Sequence, residues 1–177
     1  EQKKLLRQQI KERKATVDRS TFKHLSNLIF EQVEQTEEFR NSKTILAYWS
    51  LPDEVQTHDF VLKWYQKKRI LLPLVVGDVL ELRHFTGMEC MEKGPAFGIL
   101  EPQKGTPASI NEVDMVIVPG LAFDLNGNRM GRGKGYYDKL LKEKNIFRLG
   151  VCFNFQLVPQ VPVDDYDIPM NRVIFNP

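Results

Sequence analysis

Cysteine is scarce in this sequence. Cys90 and Cys152 are the two thiols among 177 residues. They form neither a CxxC pair nor a metal-ligand pattern, which excludes a disulfide framework and a cysteine-zinc site and leaves two idle thiols in a reducing compartment. Histidine is equally sparse: His24, His58 and His84 are too dispersed for HExxH or a local zinc set, and they are read as surface or packing residues. No apolar run reaches the roughly 18 residues that a membrane-spanning helix needs. The opening segment, Glu1 to Lys14, is too charged for a signal peptide, so a cytoplasmic protein without membrane contact is expected. Nor is there an excess of one charge sign. With 25 basic and 23 acidic residues the net charge is +2, so no polyanionic partner is demanded and the cations have to be read by position. Internal repeats, low-complexity tracts and linkers are also missing, which leaves one domain over residues 1–177.

What is present is ordinary globular material, 42% hydrophobic and 27% charged. A chain of this length buries roughly 70% of the surface its unfolded form exposes, so it needs no staple. Residues 1–15 carry a narrow apolar stripe of Leu5, Leu6 and Ile10 and are expected to be helical. Ser20 is placed to cap a second helix, with Phe22, Leu25, Leu28, Ile29 and Val33 at helical spacing. Thr44 to Trp49 reads as a strand, broken by Pro52-Asp53-Glu54. Thr57 is expected to cap a third helix that runs to Lys68. The continuous apolar run Ile70 to Val76 predicts a strand covered on both faces; Gly77-Asp78 turns it into a hairpin with Val79 to Phe85. Residues 87–112 read mainly as irregular loop. Further strands are expected at Met115 to Val118, Leu149 to Phe153 and Arg172 to Phe175, with a turn at Asn126-Gly127 and a helix from Tyr136 to Lys144. Buried strands alternating with amphipathic helices argue for an α/β single-domain sandwich, with a mixed, mostly parallel sheet and helices on both faces.

The chemistry concentrates in one loop. Five of the 11 glycines fall between Gly120 and Gly135, and Gly131, Gly133 and Gly135 alternate with Arg132 and Lys134. Glycines let the backbone approach a ligand closely, and backbone N–H groups at a helix start favour an anion. That dipole contributes only ~0.3–1 kcal/mol when exposed. Charge-assisted hydrogen bonds, roughly 1.5–3 kcal/mol each, are the larger effect, so Arg132 and Lys134 matter more than the helix end. The pattern is not a Walker A loop, which needs glycine at 128 and Ser or Thr at 135 where the chain has Asn128 and Gly135. Nor is it a Rossmann fingerprint, because Tyr136 stands where the last glycine belongs. On composition alone, a flexible turn with solvated cations accounts for the same residues. Asp138 either complements the helix dipole or, beside a polyphosphate, holds Mg²⁺. The run Lys3, Lys4, Arg7, Lys11, Arg13 and Lys14 is either a solvated face or a nucleic-acid surface, the latter disfavoured by the balanced charge. Trp49 ends a strand and Glu54 follows it, at the carboxyl end where ligands of open α/β sheets lie, although a core tryptophan and a surface glutamate fit the same positions.

A longer run narrows the choice. Pro119-Gly120-Leu121-Ala122-Phe123-Asp124, Asn126-Gly127-Asn128-Arg129 and Gly131-Arg132-Gly133-Lys134-Gly135-Tyr136-Tyr137-Asp138 resemble the 5-formyltetrahydrofolate cyclo-ligases, also called methenyltetrahydrofolate synthetases. Lys3-x-x-Leu6-Arg7, Asp53 to Thr57 and Ile99-Leu100-Glu101-Pro102 support the resemblance in order along the chain, which is weakest over residues 77–113. Near the C-terminus the family often has His-Asp where this chain has Tyr166-Asp167. The resemblance implies an α/β sandwich that uses ATP and Mg²⁺ to convert 5-formyltetrahydrofolate to 5,10-methenyltetrahydrofolate, with release of ADP and phosphate. It implies ATP contacts from Lys3, Arg7, Arg129, Gly131, Arg132, Gly133, Lys134, Gly135, Tyr136 and Tyr137. It puts the metal on Asp138 and Asp167, and the folate against Trp49, Glu54 and the stretch Arg132 to Tyr136. Lys134, Arg132 and Tyr136 are the expected catalytic residues. The protein is expected to act as a monomer on its two small-molecule substrates, with neither nucleic acid nor membrane as partner. The alternatives are another ATP-using enzyme, such as a small-molecule kinase, and a nucleic-acid binder.

Overall fold

The computed structural model describes residues 1–95 and 98–177. Along the chain lie α1 (Gln2–Ala15), α2 (Phe22–Glu34), α3 (Glu37–Asn41), β1 (Thr44–Leu46), α4 (His58–Trp64), β2 (Arg69–Val76), β3 (Val79–His84), β4 (Glu92–Lys93), β5 (Leu100–Glu101), β6 (Pro107–Ala108), β7 (Met115–Val118), β8 (Ala122–Phe123), β9 (Arg129–Met130), α5 (Tyr136–Leu141), β10 (Phe147–Cys152) and β11 (Arg172–Phe175). Among the described residues, seven strands form the main sheet in the order β11-β10-β7-β1-β2-β3-β6. β1, β2, β7, β10 and β11 pair in parallel; β3 pairs antiparallel with β2 and with β6. The mixed, mostly parallel sheet expected from the sequence is therefore present. Pro107 sits in β6 at the sheet's edge, where a residue without an N–H is tolerated.

Alternation along the strands sends side chains to two apolar layers. Ile45, Ile70, Leu72, Met115, Ile117, Leu149 and Val151 pack on one face with Ile29, Phe30 and Val33 of α2 and Phe60 and Val61 of α4. Leu46, Leu71, Val116, Val118 and Cys152 face the other way, against Leu141 of α5, Phe123 and Met170. Gly150 lies under Phe123: a Cβ there would come within 2.5 Å of the ring, so the missing side chain is what lets Phe123 lie on the sheet. α1 joins neither layer. Its Leu6 and Ile10 form a third cluster with Ala122, Met130, Val158 and Val161.

Element ends differ from expectation for identifiable reasons. The first strand ends at Leu46 rather than Trp49, because the chain then closes a loop stitched by side chains. The Tyr48 hydroxyl donates to the Val55 carbonyl at 3.0 Å, Thr57 donates to the Tyr48 carbonyl, and Ser50 and Thr57 exchange backbone-to-hydroxyl bonds of 3.1 and 2.9 Å. Thr57 thus spends its hydroxyl on the loop and makes no side-chain cap for α4, which ends at Trp64 rather than Lys68. Asp18, not Ser20, caps the turn leading into α2. α3 is an unforeseen short helix, capped by Thr36. α5 stops at Leu141 rather than Lys144, and Glu143 turns the chain with φ +58°. The expected loop 87–112 holds the small β4–β5 pair and the edge strand β6; its residues 96–97 lie outside those described.

Candidate active site

The topology creates a crevice. The chain leaving β1 returns through α4 to β2 on one side, and the chain leaving β7 returns through α5 to β10 on the other, while β1 and β7 are parallel neighbours. Connections diverge at this point, so the carboxyl ends of the two strands open a gap that neither crossover fills. A cleft of about 780 Å³ lies beside it, lined by Glu54, Pro119, Gly120, the segment 129–139 and residues of α1 and of the 164–167 loop.

The long sequence run has two jobs here. Its first half is scaffold. Asp124 is fully buried, and its carboxylate accepts from the backbone N–H groups of Asn126 and Asn128 at 3.0 Å, from the Asn128 amide at 3.0 Å and from the Val161 N–H at 2.9 Å. Gly127 has φ +90°, and a Cβ there would lie 2.3 Å from the Met170 carbonyl oxygen. Together they fix the β8–β9 hairpin to the segments that follow β10.

The second half faces the cleft. The Arg129 side chain is buried; its Nη1 donates to the Pro119 carbonyl at 3.0 Å, its Nη2 lies 3.7 Å from Asp138 Oδ2, and its Nε has no partner among the described residues. Burial lowers the Arg129 pKa, and the neighbouring Asp138 opposes the fall. The guanidinium also sits 5.6 Å from the centre of the Tyr137 ring, whose hydroxyl burial pushes well up. Arg132, Gly133 and Lys134 are exposed, and Gly133 and Gly135 take φ +105° and +68°, conformations that favour glycine. α5 spans only six residues, so its dipole is short and the side-chain cations dominate the local field. Lys134 makes no hydrogen bond or ion pair with any described residue.

Lys3 and Arg7 close one side. Lys3 Nζ donates to Asp164 at 2.7 Å and to Asp167 at 2.6 Å. Burial lowers the Lys3 pKa, but these two carboxylates outweigh it and hold the ammonium above its usual range. Arg7 Nε donates to the Gly131 carbonyl at 3.3 Å. Asp138 Oδ1 accepts from the Ile168 N–H at 2.9 Å, which ties Asp138 to the backbone just after Asp167. Glu54 Oε1 accepts from the Leu51 N–H at 2.8 Å. Burial pushes the Glu54 carboxyl up, partly offset by that bond and by Arg132.

Among the expected site residues, the cleft thus gathers Lys3, Arg7, Glu54, Arg129, the segment Gly131 to Asp138, and Asp167. It does not gather Trp49. That ring stacks on His58 at 3.8 Å and on Phe85 at 5.9 Å, and it packs against the core. Lys139, Lys142, Asp164 and Tyr166 line the cleft without having been expected. The two lysines follow the glycine loop at helical spacing, which was the available signal; Asp164 and Tyr166 lie in an irregular loop with none. Among the described residues seven cationic and four acidic side chains line the cleft. The local excess is larger than the +2 of the whole chain, so the field is focused where a ligand would sit. No group of three or more His, Cys, Asp or Glu is arranged to hold a metal among the described residues. No helix among them is long and apolar enough to cross a membrane.

A cationic, glycine-lined cleft at a switch point lies where open α/β sheets place their ligands. The comparisons with known proteins narrow this to one family. The model of the 5-formyltetrahydrofolate cyclo-ligase family matches residues 1–176. The mouse 5-formyltetrahydrofolate cyclo-ligase is 29% identical over 98% of this chain and 93% of its own. That of Haemophilus influenzae is 30% identical over 89% and 84%. The solution structure of Aquifex aeolicus 5,10-methenyltetrahydrofolate synthetase superposes with a TM-score of 0.88 at 32% identity, covering 99% of this chain and 90% of that one. The chain belongs to the 5-formyltetrahydrofolate cyclo-ligase family.

Proposed function

We propose that this protein converts 5-formyltetrahydrofolate and ATP to 5,10-methenyltetrahydrofolate, ADP and phosphate, with Mg²⁺. The observation that carries the reading is the convergence of Lys3, Arg7, Arg129, Arg132 and Lys134 with Glu54 on one cleft. That arrangement suits a polyanion and a hydrogen-bonding heterocycle bound side by side.

The formyl carbon of the substrate is a poor electrophile and its oxygen a poor leaving group. Transfer of the γ-phosphoryl group to the formyl oxygen, with ADP leaving, solves both problems. The folate N10 then attacks the activated carbon, the N10 proton is lost, and phosphate departs with the former formyl oxygen. Phosphoryl transfer asks the protein for positioning and charge neutralisation rather than a covalent partner, and positioning alone is worth ~7–11 kcal/mol. In this reading Arg129 and Arg7 hold the polyphosphate, Gly131, Gly133 and Gly135 let the backbone approach it, and Arg132 and Lys134 meet the charge on the transferred group. Tyr136 borders the same ligand. Glu54 accepts hydrogen bonds from the pterin. Trp49 enters as a packing residue behind the loop, because its ring is already stacked.

The donor set is compatible with magnesium brought in on a nucleotide. Asp138 and Asp167 both line the cleft, and Mg²⁺ is commonly held by one or two carboxylates plus phosphate oxygens. When bound, the ion would neutralise phosphate charge. Asp138→Asn is expected to raise the magnesium concentration needed for half-maximal rate by about tenfold, one charged ligand's worth; an unaltered magnesium titration would remove Asp138 from the metal site. Glu54→Gln is expected to raise KM for the folate about tenfold with KM for ATP changed less than about twofold, and equal effects on both substrates would reassign Glu54 to holding Arg132. Release of free phosphate in step with the folate product separates this reaction from a kinase, which leaves the phosphoryl group on its product.

A further inference from the structure

The cations of α1 divide into two sets. Lys4, Lys11 and Arg13 are exposed, whereas Lys3, Arg7 and Lys14 are half-buried. Spacings of four and seven put these three on one helix face, with the buried Ile10 between them. Lys3 meets the 164–167 loop and Arg7 meets the glycine loop, as described above. Lys14 lies outside the cleft lining, and its Nζ donates to Asp53 Oδ2 at 2.7 Å. The other oxygen of Asp53 lies 3.6 Å from Arg132 Nη2, and the same nitrogen lies 3.7 Å from Glu54 Oε2.

Arg132 therefore stands before two adjacent carboxylates at ion-pair distance, short of hydrogen bonding. Two unopposed carboxylates would claim a guanidinium and compete with any anion offered to it. One of them is not unopposed: the lysine–aspartate contact is short, and both side chains are largely covered. We propose that Lys14 and Asp53 are positioning residues for Arg132, Lys14 neutralising Asp53 so that the guanidinium rests beside the carboxylates yet turns to an anionic ligand in the cleft. Burial pushes the Asp53 carboxyl up, but Lys14, and then Arg132, outweigh it and keep it below the usual carboxylate range. The pair also ties the helix bearing Lys3 and Arg7 to the loop bearing Glu54, so both walls of the cleft meet at Arg132. The inference rests on the proposed function only in taking Arg132 as a ligand contact.

The test uses inorganic tripolyphosphate titrated into the full chain by calorimetry, with thermal midpoints recorded for every variant. Lys14→Met is expected to weaken binding about tenfold, the equivalent of losing one charge-assisted contact. Lys14→Arg keeps wild-type affinity. Adding Asp53→Asn to Lys14→Met restores affinity to within about twofold of wild type, because the unopposed carboxylate is gone. A purely structural ion pair predicts lowered midpoints in the single variants with unchanged affinity of the folded protein. That result would overturn the proposal, as would a weakened Lys14→Met that Asp53→Asn does not rescue, or a wild-type chain that takes no tripolyphosphate. If the affinity cycle closes as described but no folate product forms, the positioning role stands and the substrate assignment falls.

Discussion

Lys134→Ala is expected to lower kcat by roughly 10²- to 10³-fold, the usual cost of removing one preorganised group that meets charge developing in a transition state. Lys134 is exposed and, unlike Lys3, Arg129 and Arg132, has no carboxylate partner among the described residues. In the proposed reaction its ammonium is free to follow the transferred phosphoryl group, whereas the others are already partly compensated. Stability should be unaffected, since an exposed lysine without an ion pair contributes little to folding. Steady-state kinetics with both substrates varied, together with a thermal melt, checks this. An unchanged kcat with a raised KM for ATP would make Lys134 a ground-state binder.

Asp124→Ala should produce the largest loss of stability, about 3–5 kcal/mol, because it strips a buried carboxylate from several donors that have no other acceptor among the described residues, each unsatisfied donor costing about 1–3 kcal/mol. Backbone N–H groups of Asn126, Asn128 and Val161 lose their partner together. The melting temperature of a chain of this size falls roughly 2–4 °C per kcal/mol, so a drop of about 10 °C is expected by calorimetry. A drop of less than about 2 °C would mean that water replaces the carboxylate and that the hairpin is held mainly by its apolar cluster. Asp124 and Gly127 thus act differently from Gly131, Gly133 and Gly135, although the sequence presents them as one continuous run.

That difference shows what the sequence made legible. Buried strands were readable at Met115 to Val118 and over Ile70 to Leu72, because a strand covered on both faces needs apolar side chains on both; the same apolar run overshoots the cover, since Val75 and Val76 at its end are exposed. The glycine–cation alternation pointed to anion binding, because positive φ and backbone approach demand glycine. What could not be read was side-chain direction outside regular elements. Trp49 follows a strand end, as a pocket residue would, yet the loop stitched by Thr57 and Ser50 turns its ring onto His58 and Phe85. Thr57 matched a helix cap by position, but a tertiary hydrogen bond took its hydroxyl. Lys14 looked like one more solvated cation, since nothing local reveals a partner 39 residues away at Asp53. Asp164 and Tyr166 reach the cleft from an irregular loop, where no periodicity marks the facing side.

The proposed reaction requires that ATP activate a formyl group for ring closure in the cleft at the ends of β1 and β7. The most direct measurement mixes the protein with Mg-ATP and 5-formyltetrahydrofolate and follows the methenyl chromophore. Growth of that absorbance, dependent on ATP and magnesium and matched by free phosphate, is the predicted result. A folded protein that yields no chromophore, or that yields it equally well without ATP, would contradict the account.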